Sequence, residues 1–122
     1  MATAKGSDSK KLVKQVVHAL EEVKGQSIAS MDVRKLTQIT DFMVVVTGTS
    51  NTHIKALADK VIKDVKASGG KLVGIEGKDQ AEWVLVDLGG VVVHIMLAPV
   101  RALYRLEDLW NFNAATVSES RK

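Results

Sequence analysis

From Leu12 the chain places an apolar residue every three or four positions. Leu12, Val13, Val16, Val17, Leu20 and Val23 alternate with lysines, a glutamine and glutamates. That spacing lines one side of a helix. Ser7-Asp8-Ser9 offers a cap at its start and Gly25 a stop at its end. The period then changes to two. "SIASMDV" sets Ile28, Ser30 and Asp32 on one side and Ala29, Met31 and Val33 on the other, which predicts a short strand. "DFMVVVTG" is continuously apolar and β-branched, as in an interior strand covered on both faces. "THIKALADKVIKDVKASGG" returns to helical spacing through Ile54, Leu57, Ala58, Val61, Ile62 and Val65, and ends at Gly69-Gly70. "KLVGIEG" predicts a third strand. "EWVLVDLGGVVVHIM" supplies a fourth and fifth, and after Pro99 "RALYRLEDLWNFN" carries Leu103, Leu106 and Trp110 at helical spacing. The order is α-β-β-α-β-β-β-α, an α/β fold with a mixed five-stranded sheet and helices packed on it.

The hairpin can be resolved further. If Gly89-Gly90 is a two-residue primed turn, with both glycines at positive φ, the register follows. Leu88, Val86 and Val84 then face Val91, Val93 and Ile95. That wholly aliphatic side is the core side. The opposite side pairs Asp87 with Val92, Leu85 with His94 and Trp83 with Met96. An Asp and a His beside a Trp and a Met are expected on a face at least partly open, and an open Trp–Met pair rimmed by polar groups suits protein docking. The competing reading covers this face with the helix of residues 99–113. In either case Trp83 is an anchor.

With 122 residues, 46% of them hydrophobic and 25% charged, the chain reads as one soluble globular domain. The domain is expected over residues 9–113, between a flexible N-terminus (1–8) and a flexible tail (114–122). There is no cysteine, and the longest apolar runs, such as residues 91–98, fall far short of the roughly 20 residues of a membrane helix. The opening "MATAKGSDSKK" lacks both a secretory apolar stretch and the arginines of a transit peptide, so a cytoplasmic location is expected. Net charge is +3, concentrated early: residues 1–70 hold 11 Lys/Arg against seven Asp/Glu, and residues 71–122 hold six against seven. This mildly basic half could sit near RNA phosphates, but lysines such as Lys10, Lys11, Lys14, Lys55 and Lys63 read mostly as solvated helix surface.

Candidate chemistry is sparse. His18, His53 and His94 lie on three separate elements with no Cys, so no metal site is expected. "TGTSN" closes a strand and opens a helix, a geometry that can receive phosphate. Without a phosphate-loop Lys it reads as an N-cap supplied by Thr49, Ser50 or Asn51. No catalytic triad and no paired strand carboxylates are found. A protein without cofactor or enzymatic activity is expected.

"DFMVVVTGTSNTHIKALAD", "IEGKDQAEWVLVDLGGVVVHIM" and "RALYRLEDLWN" together resemble the signature segments of the ribosome-silencing factor family, also called the Iojap family, over about residues 10–112. The resemblance implies a nucleotidyltransferase-like fold whose metal carboxylates are missing here, since "KLVGIEG" has only Glu76. It also implies binding to the large ribosomal subunit through ribosomal protein fourteen, which obstructs joining of the small subunit and represses translation under nutrient limitation. Carried onto this chain, the partner-binding residues are Trp83, His94, Met96, Arg101, Tyr104, Leu106, Glu107 and Trp110. The family often has a second aromatic at the position of Leu103 and Phe at that of Met96. The alternative is a nucleotide-binding enzyme of the nucleotidyltransferase type, with "TGTSN" taking phosphate. An open apolar patch also predicts self-pairing of the free protein as a homodimer.

Overall fold

The computed structural model describes residues 2–105. Its elements are α1 (Ala2–Glu22), β1 (Gln26–Asp32), β2 (Phe42–Gly48), α2 (Asn51–Ala67), β3 (Gly74–Glu76), β4 (Trp83–Asp87), β5 (Val91–Leu97) and α3 (Ala98–Tyr104), in the expected order. The five strands form one sheet in the order β1-β2-β5-β4-β3. Only the β2–β5 pair is parallel. β5 is the central strand with β2 and β4 on either side of it, and every residue of the interior strand β2 is buried, as its unbroken apolar run requires.

α1 and α2 pack on one face. The stripe Val16, Ala19 and Leu20 of α1 and Ile54, Leu57, Ala58, Val61 and Val65 of α2 meets Val44, Val46, Val84, Val86, Val93 and Ile95 of the sheet. Burying one such Leu or Ile side chain stabilises the fold by about 1.5–3 kcal/mol. Gln15 donates to the Asp64 carbonyl (3.1 Å) and the Ser68 hydroxyl (2.9 Å), which keys α1 against the last turn of α2. On the other face a smaller cluster joins Val33, Met43, Val45 and Met96, with Met31, Trp83 and Val100 packed against it.

The hairpin has the register expected from its turn: Trp83 opposite Met96, Val84 opposite Ile95, Leu85 opposite His94, Val86 opposite Val93 and Asp87 opposite Val92. The turn itself differs. Only Gly89 has positive φ (87°). Gly90 is constrained for a different reason: a Cβ there would lie 2.2 Å from the Ser9 hydroxyl oxygen, which would have to move.

Three boundaries shift. α1 begins at Ala2, so Ser9 is not a cap; it is buried and donates to the Asp41 carboxylate at 2.7 Å. β3 shrinks to three residues at the sheet edge. α3 starts at Ala98, with Pro99 in its first turn where a missing N–H costs nothing, and stops at Arg105 in the left-handed conformation (φ 51°, ψ 51°). The expected helix of Leu103, Leu106 and Trp110 is thus broken after Tyr104. Leu106, Glu107 and Trp110 lie outside the described residues.

Candidate docking groove

Beside the hairpin, α3 and the loop of residues 77–82 enclose a groove of about 710 Å³. Its apolar lining is Ile75, Trp83, Val100, Leu103 and Tyr104, and its rim carries Glu76, Asp79 and Glu82 together with Lys78 and Gln80. Leu103 is 74% exposed and Tyr104 55% exposed, so this apolar surface stands in contact with water. Trp83 is half-buried between them and the sheet, with its ring centroid 4.8 Å from that of Tyr104.

Both walls are held from outside the groove. In the loop, Gly77 (φ 85°) and Ala81 (φ 55°) adopt positive φ, and the Ala81 N–H closes on the Gly77 carbonyl at 2.9 Å. A Cβ on residue 77 would meet the Trp83 carbonyl oxygen at 2.3 Å, so the chain passes there only as glycine. Asn51, at the start of α2, donates to the carbonyls of Gln80 (2.9 Å) and Ala81 (3.0 Å). Lys78 forms an ion pair with Asp59 of the same helix. The opposite wall, α3, is too short to be stable alone. Arg101 ties it down, donating from Nη1 to the Ser27 carbonyl (2.7 Å) and the Thr47 hydroxyl (2.9 Å). Ser27 holds a positive φ of 51° in an irregular stretch of β1, which presents that carbonyl to the guanidinium.

The residues expected to form one contact surface separate here. Trp83 and Tyr104 line the groove. Met96 does not: it is fully buried against Val33, Met43 and Val45, under Val100. His94 is also buried, at 7% exposure, and its Nδ1 accepts the Trp83 indole N–H at 3.0 Å. The expected open Trp–Met face is therefore corrected to a largely covered one, because α3 lies across its end and seals Met96. Arg101 is engaged with the protein's own backbone and Thr47. The loop of residues 77–82 was not singled out as a wall. Its signal was present: a polar six-residue connection opened by Gly77 and leading directly into Trp83 must run beside that indole.

Burial lowers the His94 pKa to about 4. An indole can only donate, so the Nδ1 lone pair faces it and the proton of neutral His94 resides on Nε2. Elsewhere, the "TGTSN" turn is an N-cap. Ser50 accepts the His53 N–H at 3.1 Å, and the Thr49 N–H donates to His53 Nδ1 at 2.9 Å. His53 Nε2 in turn lies 2.6 Å from the Val23 carbonyl, so the turn's polar groups join α2 to the end of α1. Among the described residues no group of three His, Cys, Asp or Glu could hold a metal ion, and no helix is long and apolar enough to cross a membrane.

The chain resembles known proteins along most of its length. The family model described as "ribosomal silencing factor during starvation" matches residues 6–122. A ribosomal silencing factor of Chromobacterium violaceum is 48% identical over 97 residues, covering 80% of each chain. A crystal structure of a protein from the same organism superposes with a TM-score of 0.83 at 46% identity, covering 84% of this chain and 85% of that one. The mouse (Mus musculus) protein named "mitochondrial assembly of ribosomal large subunit protein 1" is 33% identical over 105 residues, 84% of this chain and 46% of the mouse protein.

Proposed function

Since the chain belongs to the ribosomal silencing factor family, we propose that it binds the large ribosomal subunit through the groove between α3 and the 77–82 loop, with ribosomal protein fourteen as its partner. Bound there, the domain occupies volume that the small subunit needs, and translation is repressed without any bond being made or broken. The observation carrying this reading is Trp83. A half-buried indole on the floor of a pre-formed apolar groove is the kind of group that dominates a protein interface, because it buries much area and loses little conformational freedom. Three acids on the rim, Glu76, Asp79 and Glu82, suit a partner that is basic around an apolar knob. A stable complex of this kind buries on the order of 1,200 Å² or more in total, so contacts extend beyond the groove, along α3 toward Leu106, Glu107 and Trp110.

The exposed lysines Lys10, Lys11, Lys14, Lys55 and Lys63 belong to the helix layer on the other face of the sheet from the groove. Contact with ribosomal RNA is thus assigned to a surface separate from the protein-binding one. In free solution the groove face pairs weakly with a second copy. The site of action is the cytoplasm.

Sucrose-gradient sedimentation with purified large and small subunits tests the reading. The wild-type protein is expected to travel with large subunits and to lower the yield of joined ribosomes. Trp83→Ala should bind at least about tenfold more weakly while unfolding cooperatively, in line with loss of a central aromatic anchor. Unchanged co-sedimentation of that variant would remove the groove from consideration.

A further inference from the structure

We infer that His94 is a positioning residue: its neutral, Nε2-protonated imidazole holds the Trp83 indole in the orientation that docks, without itself touching the partner. The part concerning docking rests on the function proposed above; the part concerning the indole stands on the geometry alone. His94 is 7% exposed on central strand β5, directly opposite Leu85 of β4 and two residues from the Trp83–Met96 pair. From there its Nδ1 lies 3.0 Å from Trp83 Nε1, with ring centroids 5.9 Å apart and planes inclined at 52°.

The indole is thus fixed from two sides. His94 takes its N–H from beneath, and Tyr104 lies against its ring from α3. The remaining ring surface lines the groove. An indole released from His94 would leave a buried acceptor unpaired, and its N–H would have to find water on the partner side, where an apolar knob has nothing to offer it. A fixed rotamer also spares the complex the cost of ordering the side chain on binding.

The bond exists in one protonation state only. A proton on Nδ1 sets two N–H groups against each other and expels the indole. The surroundings resist that proton. β2 offers Met43, Val45 and the uncharged Thr47 on this face, and Leu85 is the cross-strand neighbour on β4. The charged groups on the same face are each set apart or otherwise engaged. Glu76 of β3 lies beyond Leu85, the Asp87 carboxylate accepts the Gly89 N–H at 2.9 Å, and Arg101 of α3 is held by Ser27 and Thr47. Glu82, next to Trp83, is exposed at the groove rim. Burial accordingly keeps His94 neutral down to about pH 4.

The test combines nitrogen-15 NMR of the ring nitrogens with co-sedimentation on large subunits, for wild type, His94→Asn and His94→Leu. Trp110→Phe, recorded for spectral assignment alone and kept out of the binding measurements, identifies the Trp83 signal as the indole resonance that remains. Asn places Oδ1 where Nδ1 stood and can accept the indole N–H, whereas Leu fills the space and cannot. Wild type is expected to show the Nε2-protonated tautomer and a Trp83 indole N–H protected from solvent exchange, with protection lost as pH falls toward about 4. His94→Leu should lose that protection and bind about tenfold more weakly, the equivalent of one buried hydrogen bond, while His94→Asn stays within about threefold of wild type. An Nδ1-protonated tautomer, a freely exchanging indole N–H in wild type, or full affinity in His94→Leu would overturn the inference. If His94→Leu fails to fold, the wild-type spectra and His94→Asn decide it. If wild type itself fails to bind large subunits, the docking role falls with that reading, and the spectra still decide whether His94 orients the indole.

Discussion

Gly77, Gly90 and Gly74 look alike as letters but answer to different demands. Gly77 combines a φ of 85° with a Cβ position 2.3 Å from the Trp83 carbonyl oxygen. Gly90 is constrained by the Ser9 side chain, while Gly74 has open space and an ordinary φ. Gly77→Ala is therefore expected to destabilise the domain by more than about 2 kcal/mol, because backbone cannot give way as a flexible side chain can. Gly74→Ala should change stability by less than about 1 kcal/mol. Urea midpoints for the two variants check the contrast, and equal effects would show that the 77–82 loop rearranges freely. At this scale the partly exposed position of Trp83 was legible, since alternation along β4 turns it away from the aliphatic core face. The burial of Met96 was not legible. Alternation places a side chain on a face, but a segment elsewhere in the chain decides whether that face is wet.

α3 shows what an element needs from its neighbours. Seven residues cannot hold a helix by propensity, and this one has no side-chain N-cap. Val100 packed on the second cluster and Arg101 bonded to β1 and β2 keep it in place. Arg101→Ala is expected to loosen α3 by about 1–3 kcal/mol, read as faster hydrogen exchange at the Arg105 N–H, which closes on the Arg101 carbonyl. Arg101→Lys, lacking the planar fork, should restore only part of that protection. Undiminished protection in Arg101→Ala would assign the helix's order to packing alone. The long elements were legible from periodicity, down to the cross-strand partners of the hairpin. The end of α3 was not, because "RALYRLEDLW" keeps helical spacing through the point where Arg105 turns left-handed. β3 was overextended for a related reason: an edge strand lasts only as long as β4 offers it partners.

Taken whole, the molecule is a sheet with two unequal sides. Helices α1 and α2 seal one side with the main core, and α3 closes part of the other, leaving the groove. Its stability should carry the mark of His94. The folded imidazole is held at about 4, below its ordinary 6.5. Between those values the unfolded chain binds a proton that the native state refuses. The contribution is therefore full above about pH 6.5, falls as pH drops, and is gone below about pH 4, a loss of up to about 3 kcal/mol. Asp32 acts lower down. Hydrogen bonding to Arg34 holds its carboxyl at about 2, so its support is present above 3.8 and lost toward pH 2; exposed to solvent, the pair adds little. Urea unfolding between pH 7.5 and 4.5 should show stability falling as pH drops, a slope that flattens in His94→Leu, while an unchanged slope in that variant would place the titrating group elsewhere.

The order of elements, the interior rank of β2, the hairpin register and the family follow from the amino-acid sequence alone, because each rests on local periodicity or on short runs of residues. The groove does not. It depends on where α3 stops, on a loop pinned to α2 by Asn51 and Lys78, and on an arginine reaching across to β1 and β2. Those contacts join positions 19 to 74 residues apart, which no local pattern records, and they decide that Trp83 lines open space while Met96, its cross-strand partner, does not.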